Sequence, residues 1–463
     1  MQSPTPAAFA PATTADRTRS EARPAVQGAT YALTVLFFIN LMNFFDRQIL
    51  GAVGEQIRRE WGLGDTALGA LGTAFTLLYA FVGVPFGRLA DRAARKYILA
   101  AGVFLWSLLT AASGLARNFW ELFAVRLGVG VGEASCAPAA ISLIGDLYRV
   151  EHRARATASF MMGLPIGLGL SFLVGASVAQ RWGWRAALFV AAAPGLLCAV
   201  AALFIREPAR GMTEVHQVGE RRRPGSPYRL VLSIPTLWWV ILSGALHNFN
   251  MYALGSFLGS FLIRFHHVSL AQAGLIAMVV YGLSGIFGLI VGGVAADALY
   301  KKRKDGRLII ATIATSVCAP LMFLSLMRPA GDVAGFALLM GSGIGVMYAY
   351  YATVYATIQD VVEPALRGTA MSLYFCAMYL AGASLGPIGT GFISDYYTSA
   401  AANAAGVVEH TTAALEPFRA AGLHSAMYTI PMLVVLLAIV LFAASRTVRK
   451  DVDALAAWTS AQR

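Results

Sequence analysis

An all-α membrane protein of twelve transmembrane helices, arranged as two six-helix pseudo-repeat bundles, is what this sequence predicts, and three observations predict it. Hydrophobic residues make up 57% of the 463 and charged residues only 13%, with a mean hydropathy of +0.63, which excludes an ordinary soluble domain. Apolar runs of about 20 residues, the length that crosses a core of about 30 Å, recur along the whole chain. Short sequence landmarks in the first half return in the second at nearly constant spacing.

The elements follow in chain order. Residues 1–30 are rich in Ala, Pro and Thr, and their basic residues precede an apolar run too long for a signal-peptide core, so they are expected to form a disordered cytoplasmic tail. Spans at 31–53, 67–88, 97–115, 119–144, 156–179 and 184–204 make an amino-terminal bundle, 31–205. A polar linker at 206–232, carrying Arg221, Arg222, Arg223, Pro224 and Gly225, interrupts the apolar pattern. Spans at 238–263, 271–298, 308–327, 333–358, 368–394 and 424–445 make a carboxyl-terminal bundle, 233–445, and 446–463 is a second tail.

Orientation follows from the Lys and Arg distribution. Only Arg58, Arg59, Arg117, Arg181, Arg185, Arg264, Arg328 and Arg419 fall in odd-numbered connections, and Arg47 and Arg126 lie inside spans. The remaining basic residues sit in the tails, the linker and the even-numbered connections, which places both termini in the cytoplasm. The net charge of +12 is accounted for by this bias and calls for no nucleic acid. Cys136, Cys198, Cys318 and Cys376 all fall within spans, without metal or disulfide spacing, and read as small packing residues.

The repeat has three landmarks. Gly87 and Asp91, followed by Arg92, Arg95 and Lys96, return as Gly293 and Asp297, followed by Lys301, Lys302 and Arg303. Gly128, Gly130 and Gly132 return as Gly341, Gly343 and Gly345, and Arg155-Ala-Thr-Ala returns as Arg367-Gly-Thr-Ala. Each offset covers six spans, an even number, so the halves share one orientation and form a parallel repeat with a cavity at their interface.

Four ionisable residues lie inside spans: Asp46 and Arg47 in the first, Arg126 and Glu133 in the fourth. Each costs roughly 2.5–3.5 kcal/mol at the bilayer centre on insertion scales, so their default reading is functional. Arg126 and Glu133 are seven residues apart, almost two full turns, and share one helix face about 10 Å apart. If the first and fourth spans both line the cavity, Asp46 or Arg47 reaches that face. A carboxylate beside an Arg keeps its charge, and one whose Arg departs in a dehydrated cavity takes a proton, which ties protonation to conformation. The alternative is a static network that orients helices. The second half is expected to hold no comparable buried charges.

Gly87-x3-Asp91-Arg92-x2-Arg95-Lys96, with its degenerate copy at Gly293 to Asp297, resembles the signature loop of the major facilitator superfamily, which implies the major facilitator fold. The resemblance implies that Gly87, Asp91, Arg92 and Asp297 belong to a gating latch between the halves; Ala94 stands where the family usually has Gly. Asn43-Phe-Phe-Asp46-Arg47-Gln48 together with Gly132-Glu133-Ala-Ser135 and Gly145-Asp146-Leu147-Tyr148 resembles the Spinster-like transporters, with Cys136 where animal members carry Tyr. That resemblance implies movement of amphipathic molecules such as lysophospholipids or sphingoid phosphates, with proton sensing at Asp46 and coupling through Arg126 and Glu133.

Candidate substrate-binding residues are Asn43 in that motif, His247 and Asn250 in span seven, Tyr348, Tyr351 and Tyr355 on one face of span ten, and Tyr374 in span eleven. Asn248, Tyr252, Tyr350 and Tyr379 accompany them. Rings carrying a polar tip suit an amphipathic ligand, and the same residues also serve as helix packing. Cation–π contact would hold a cationic headgroup, and Arg47 or Arg126 an anionic one.

Other motifs point away from other functions. Gly128-x-Gly130-x-Gly132 lies inside a span with no preceding strand and is no nucleotide loop. No Walker motif is present, and no cofactor or metal is called for. Neither His-Glu-x-x-His nor His-x-x-x-Asp spacing occurs, which argues against an intramembrane enzyme. Gly163-Leu-Pro165-Ile-Gly167-Leu-Gly169 gives a drug/proton antiporter slight support, and a proton-coupled symporter of small organic anions remains the alternative. A non-transporting sensor is the reading a flux assay excludes. The expected partners are a small amphipathic substrate, protons and membrane lipids, with no nucleic acid, for a monomer in the bacterial inner membrane, a localisation suggested by the Ala- and Arg-rich composition.

Overall fold

The structure, a computed structural model, describes residues 28–208, 225–363 and 366–460. The predicted tail up to residue 27 and the Arg221–Arg223 run lie outside the described residues. Among the described residues every regular element is helical, as a lipid-embedded chain requires: helices satisfy their own backbone polar groups where no water can.

The amino-terminal half consists of α1 (Ala29–Trp61), α2 (Asp65–Arg92), α3 (Arg95–Ser113), α4 (Phe119–Glu133), α5 (Cys136–Leu147), α6 (Val150–Met161) and α7 (Gly163–Leu203). After a short α8 (Pro227–Leu232) come α9 (Pro235–Phe265), α10 (Leu270–Ala277), α11 (Ser284–Tyr300), α12 (Gly306–Leu326), α13 (Val333–Met347), α14 (Ala349–Val361), α15 (Arg367–Ala377), α16 (Leu385–Ala404), α17 (Thr412–Leu415), α18 (Arg419–Met427) and α19 (Thr429–Ser460). Nine helical segments among the described residues are long and apolar enough to cross a membrane. One of them, Arg155–Leu203, carries the fifth and sixth predicted spans, and α2 and α9 supply the second and seventh, which yields the predicted twelve.

Several boundaries differ from the sequence expectation. The first span continues through Trp61, where Gly62 ends it at φ 64°, ψ 33° and donates its N–H to the Arg58 carbonyl. Spans five and six run together, turning only at Gly183, whose φ of 83° and ψ of 162° admit no side chain readily. The last helix extends to Ser460, so most of the segment expected as a tail is helical.

The repeat is visible in how helices break. Span four stops at Glu133 and restarts at Cys136, with Pro138 in the restarted first turn, where its missing N–H costs nothing. Span ten breaks in the corresponding place, at Tyr348 between α13 and α14. Spans eight and eleven each contain a π-helical turn, Met278–Leu283 and Met378–Ala383, a local widening of the helix that recurs at functional sites.

Small residues bring the halves together. A Cβ on Gly51 of α1 would sit 2.3 Å from the Gly255 carbonyl oxygen of α9, and one on Gly69 of α2 would sit 2.3 Å from the Pro387 carbonyl oxygen of α16. Backbone contact this close is the usual means of helix association in lipid, where burial of apolar area supplies no driving force. Leu41, Phe45, Ile49 and Val53 of α1 and Leu254, Phe257, Leu258 and Phe261 of α9 belong to one continuous apolar core that crosses the interface.

Candidate functional site

The intramembrane charges converge. Arg47 Nε donates to Glu133 Oε2 at 2.9 Å, and Asn43 Nδ2 donates to the same oxygen at 3.1 Å. Asn43 and Arg47 are four residues apart on α1, so one helix face presents both to the end of α4. The break after Glu133 leaves this carboxylate at the terminus of a half-helix in the middle of the span. Arg47 Nη1 reaches across to the other half and donates to Tyr379 Oη at 2.8 Å. Tyr379 lies in the π-helical turn of span eleven.

Aromatic rings enclose the Arg47 guanidinium. Its central carbon lies 4.8 Å from the Phe44 centroid, 5.2 Å from Phe75, 4.5 Å from Tyr79 and 5.7 Å from Tyr379. Tyr79 and Tyr379 meet across the two halves with centroids 4.6 Å apart and planes tilted by 50°. A delocalised cation among ring faces keeps its charge with little hydration, the setting in which Arg differs most from Lys.

Asp46 and Arg126 form the neighbouring layer. Thr110 Oγ1 donates to Asp46 Oδ2 at 3.2 Å, and Arg126 Nη2 donates to the Asp46 carbonyl oxygen at 3.3 Å. All four charged residues are buried. Asp46 Oδ1, Glu133 Oε1, and Arg126 Nε and Nη1 have no hydrogen-bond partner among the described residues. Hydrogen-bonding capacity of that kind inside a protein calls for protons, water or a polar ligand.

The carboxyl-terminal candidates form a second cluster. His247 stacks on Tyr350 at 4.0 Å with planes 8° apart and meets Tyr351 edge-on at 4.8 Å. Neither ring nitrogen of His247 has a partner among the described residues. Tyr350 Oη lies 2.8 Å from Ser243 Oγ and 3.0 Å from Tyr374 Oη. Tyr348, Tyr351 and Tyr355 make a ladder at successive centroid spacings of 5.8 Å, and Tyr355 continues to Tyr374 at 5.7 Å. Tyr348 itself packs over Gly285, whose Cβ would lie 2.8 Å from the ring. Asn250 spends its amide on the Leu246 carbonyl of its own helix at 3.0 Å, and its Oδ1 is without a partner.

A further charge network was not expected from the sequence. The second half holds buried charges after all: Arg264 at the end of α9 is 7% exposed and Arg419 is 4% exposed. Arg264 binds Asp65 through Nη1 and Nη2, each at 2.8 Å, and Glu55 through Nε at 2.8 Å. Arg58, assigned to a loop by the apolar pattern, is in α1 and donates to Glu55 on its own helix and to Glu416 of the other half, at 2.6 and 3.0 Å. Asp395 of α16 accepts the Asp65 N–H at 2.9 Å and the Thr66 N–H at 2.8 Å, capping α2 from the opposite half. The hydrogen bond from Thr73 Oγ1 to the Ser384 carbonyl, 2.5 Å, continues the seam inward. This network lies at the end of the bundle opposite the basic connections. The signal available in the sequence was the crowding of Glu55, Arg58 and Asp65 around Gly62 and Gly64; their partners hundreds of residues away carried none.

At the basic end, Gly87, Asp91 and Arg92 fall on the last turns of α2, and their side chains lie outside the described residues. Asp297 is exposed and accepts from Arg307 Nη2 at 3.2 Å. Buried Arg95, next in the same motif, pairs with Asp146 of α5 and with Glu207 at 3.0 Å. Arg307 pairs with Asp360 of α14 in the corresponding place in the second half, so one Arg–Asp clasp is built twice.

Residues 36–387 match the sequence profile of the Major Facilitator Superfamily. The chain is 31% identical over 401 residues to protein spinster homolog 1 of Rattus norvegicus, covering 79% of this chain and 73% of that one. It is 29% identical to an MFS-type efflux pump of Mycolicibacterium smegmatis, over 79% and 85% of the two chains, and 29% identical to a probable L-galactonate transporter of Escherichia coli, over 79% and 83%. Among solved structures it is similar to a bacterial homologue of the human lysosomal transporter Spinster in an inward-facing, unoccupied conformation, with a TM-score of 0.79 and 27% identity over 93% of this chain and 99% of that one.

Proposed function

The chain belongs to the Major Facilitator Superfamily as a Spinster-like transporter, and from that premise we propose that it moves an amphipathic, lipid-like solute by alternating access, coupled to protons. The observation that carries this reading is the Arg47–Glu133 pair: a buried cation held by a buried acid, enclosed by rings and linked to the opposite half through Tyr379. While Glu133 is charged it neutralises Arg47. A proton on Glu133 releases the guanidinium, which then meets an anionic headgroup such as a lysophospholipid phosphate or a sphingoid phosphate. Asp46, beside Arg126, is the second carboxyl in the relay. The apolar faces of Tyr79, Tyr379 and the Tyr348–Tyr355 ladder suit an alkyl chain.

The charge network at the end opposite the basic connections supports an inward-facing state, the state described for the solved relative. The Lys and Arg distribution supports cytoplasmic termini, and the composition supports a bacterial inner membrane. The gating role of Gly87, Asp91, Arg92 and Asp297 rests on the family resemblance, and the monomeric state is part of the same reading.

Flux of a lysophospholipid into proteoliposomes at several pH values is the test, with Glu133→Gln and Asp46→Asn beside the parent. Flux that depends on pH in the parent and loses that dependence in Asp46→Asn is the expected result. A second reading, symport of small organic anions, is favoured by two buried arginines at one site and by the 29% identity to the probable L-galactonate transporter. Activity toward sugar acids with no lysolipid flux would establish that reading instead.

A further inference from the structure

The glycine repeat is asymmetric in its packing. Gly128 and Gly341 are repeat counterparts, and a Cβ on Gly128 would meet Leu109 Cδ1 at 2.9 Å, whereas one on Gly341 would find no atom closer than 3.9 Å. Gly341 instead opens onto a groove of about 810 Å³ between α11, α12 and α13. Phe287, Val291, Ala295, Ile313, Val317 and Leu338 line it, and Phe287, Val291 and Leu338 are 63%, 63% and 71% exposed on the outer surface of the bundle. Along span eight the lining runs from Val279 to Ala295, roughly 24 Å at 1.5 Å per residue, more than one leaflet's depth of about 15 Å.

The mouth of the groove is basic. α11 and α12 form its walls, and the turn that joins them is Lys301-Lys302-Arg303-Lys304. Arg303 pairs with Asp305 at 3.0 Å and Lys304 with Asp453 at 2.5 Å, while Lys301 and Lys302 have no acidic partner among the described residues. Lys301 directly follows the last residue of α11, six residues beyond Ala295, and Lys302 continues the turn, so both stand at the end of the groove wall that α11 forms. An apolar trough closed at one end by two uncompensated cations at headgroup level complements a ligand with an alkyl tail and an anionic head.

We infer that this groove is a binding site for an anionic bilayer phospholipid, its acyl chain against Gly341 and Leu338 and its phosphate on Lys301 and Lys302. The site lies on the lipid-facing side of the carboxyl-terminal half, apart from the Arg47–Glu133 centre, and does not depend on which solute is transported.

Delipidated full-length protein in detergent, titrated with phosphatidylglycerol or with phosphatidylcholine of the same chains and followed by mass spectrometry of the intact complex, tests it. The parent is expected to retain phosphatidylglycerol with a preference of about 30-fold, the fold-change of two headgroup-level cations at about 1 kcal/mol each. Lys301→Ala with Lys302→Ala, at exposed positions, should erase the preference while leaving tail binding. Gly341→Leu fills the trough and should abolish binding of both lipids; monodispersity in gel filtration checks that it folds. Equal binding of the two lipids by the parent, or an undiminished preference in the double lysine variant, overturns the inference, as does unchanged retention of phosphatidylglycerol in a folded Gly341→Leu.

Discussion

Arg264 and Asp65 are joined by two parallel hydrogen bonds of 2.8 Å, Nη1 to Oδ2 and Nη2 to Oδ1, and they belong to different halves of the bundle. Asp65 also accepts from Ser394 Oγ at 2.6 Å, and Arg264 also holds Glu55, so the pair is saturated on both sides. A bidentate, desolvated pair of this kind gives geometry as well as attraction. It ties the two halves together at this end of the bundle.

Arg264→Ala leaves Asp65 buried without its cation, while Glu55 keeps Arg58, a loss of about 3–5 kcal/mol for a broken buried pair. That loss falls on the closed state alone, so the equilibrium moves toward opening by about a hundredfold or more. Spin labels at Leu115 and Val408, both exposed, read the distance between the halves. A longer distance population in Arg264→Ala, and a smaller one in Arg264→Lys, is expected; an unchanged distribution would mean that the network does not hold the halves.

Asp395 supplies a helix cap in trans. Asp395→Ala removes both acceptors from the first turn of α2 and costs about 1 kcal/mol, the usual value of an N-cap, while Asp395→Asn keeps one acceptor oxygen. Hydrogen exchange should quicken at both the Asp65 and Thr66 amides in Asp395→Ala and at only one of the two in Asp395→Asn. Equal exchange in both variants would assign the effect to lost charge rather than to capping.

Glu133→Gln makes the acid permanently neutral and frees Arg47 at every pH. Under proton coupling this variant exchanges solute across the membrane yet no longer accumulates it against a pH gradient, and Asp46→Asn flattens the pH profile. Gradient-driven accumulation that survives in both variants would remove these carboxyls from the coupling.

Tyr379→Phe deletes the hydroxyl that takes the Arg47 hydrogen bond while keeping the ring beside Tyr79. A hydrogen bond to a charged group is worth about 1.5–3 kcal/mol, so half-saturation for the solute should shift by roughly ten- to a hundredfold. The direction separates two roles: weaker apparent binding if the hydroxyl positions Arg47 for the headgroup, tighter if it competes with the headgroup.

Stability should depend on pH through His266, which lies beyond the end of α9. Burial, and the nearby His424, hold its imidazole below the ordinary histidine range, against a weaker opposing pull from Asp332. The unfolded chain binds the proton near pH 6.5 and the folded chain only at lower pH, so the unfolded state carries more protons in that window. Melting temperature should therefore fall as pH drops below about 6.5, and His266→Phe should flatten that part of the profile.

The span count, the parallel repeat and the four intramembrane charges were legible in the sequence because each rests on local pattern: apolar runs of fixed length, motif spacing, and ionisable residues where lipid tolerates few. Arg126 and Glu133 share a face because seven residues make nearly two turns, so their meeting with α1 was also within reach. The ring enclosure of Arg47 was not, since Phe75, Tyr79 and Tyr379 come from three separate stretches of chain. Nor was the Arg264 network. Arg58 and Arg264 lie just past apolar runs, where composition alone reads as loop, and only helices that continue beyond the apolar core bury them.

By itself the sequence determined that this chain spans a membrane twelve times in two like-oriented halves, because hydrophobic length and motif spacing are properties of the chain taken locally. Tertiary structure alone decided which charge meets which. Arg47 joins Glu133 and Tyr379, Arg264 joins Asp65 and Glu55, and Asp395 caps a helix more than three hundred residues away. Those pairings depend on helix crossing and on the close approach at Gly51 and Gly69 that lets the two halves touch. Separation along the chain holds no record of either.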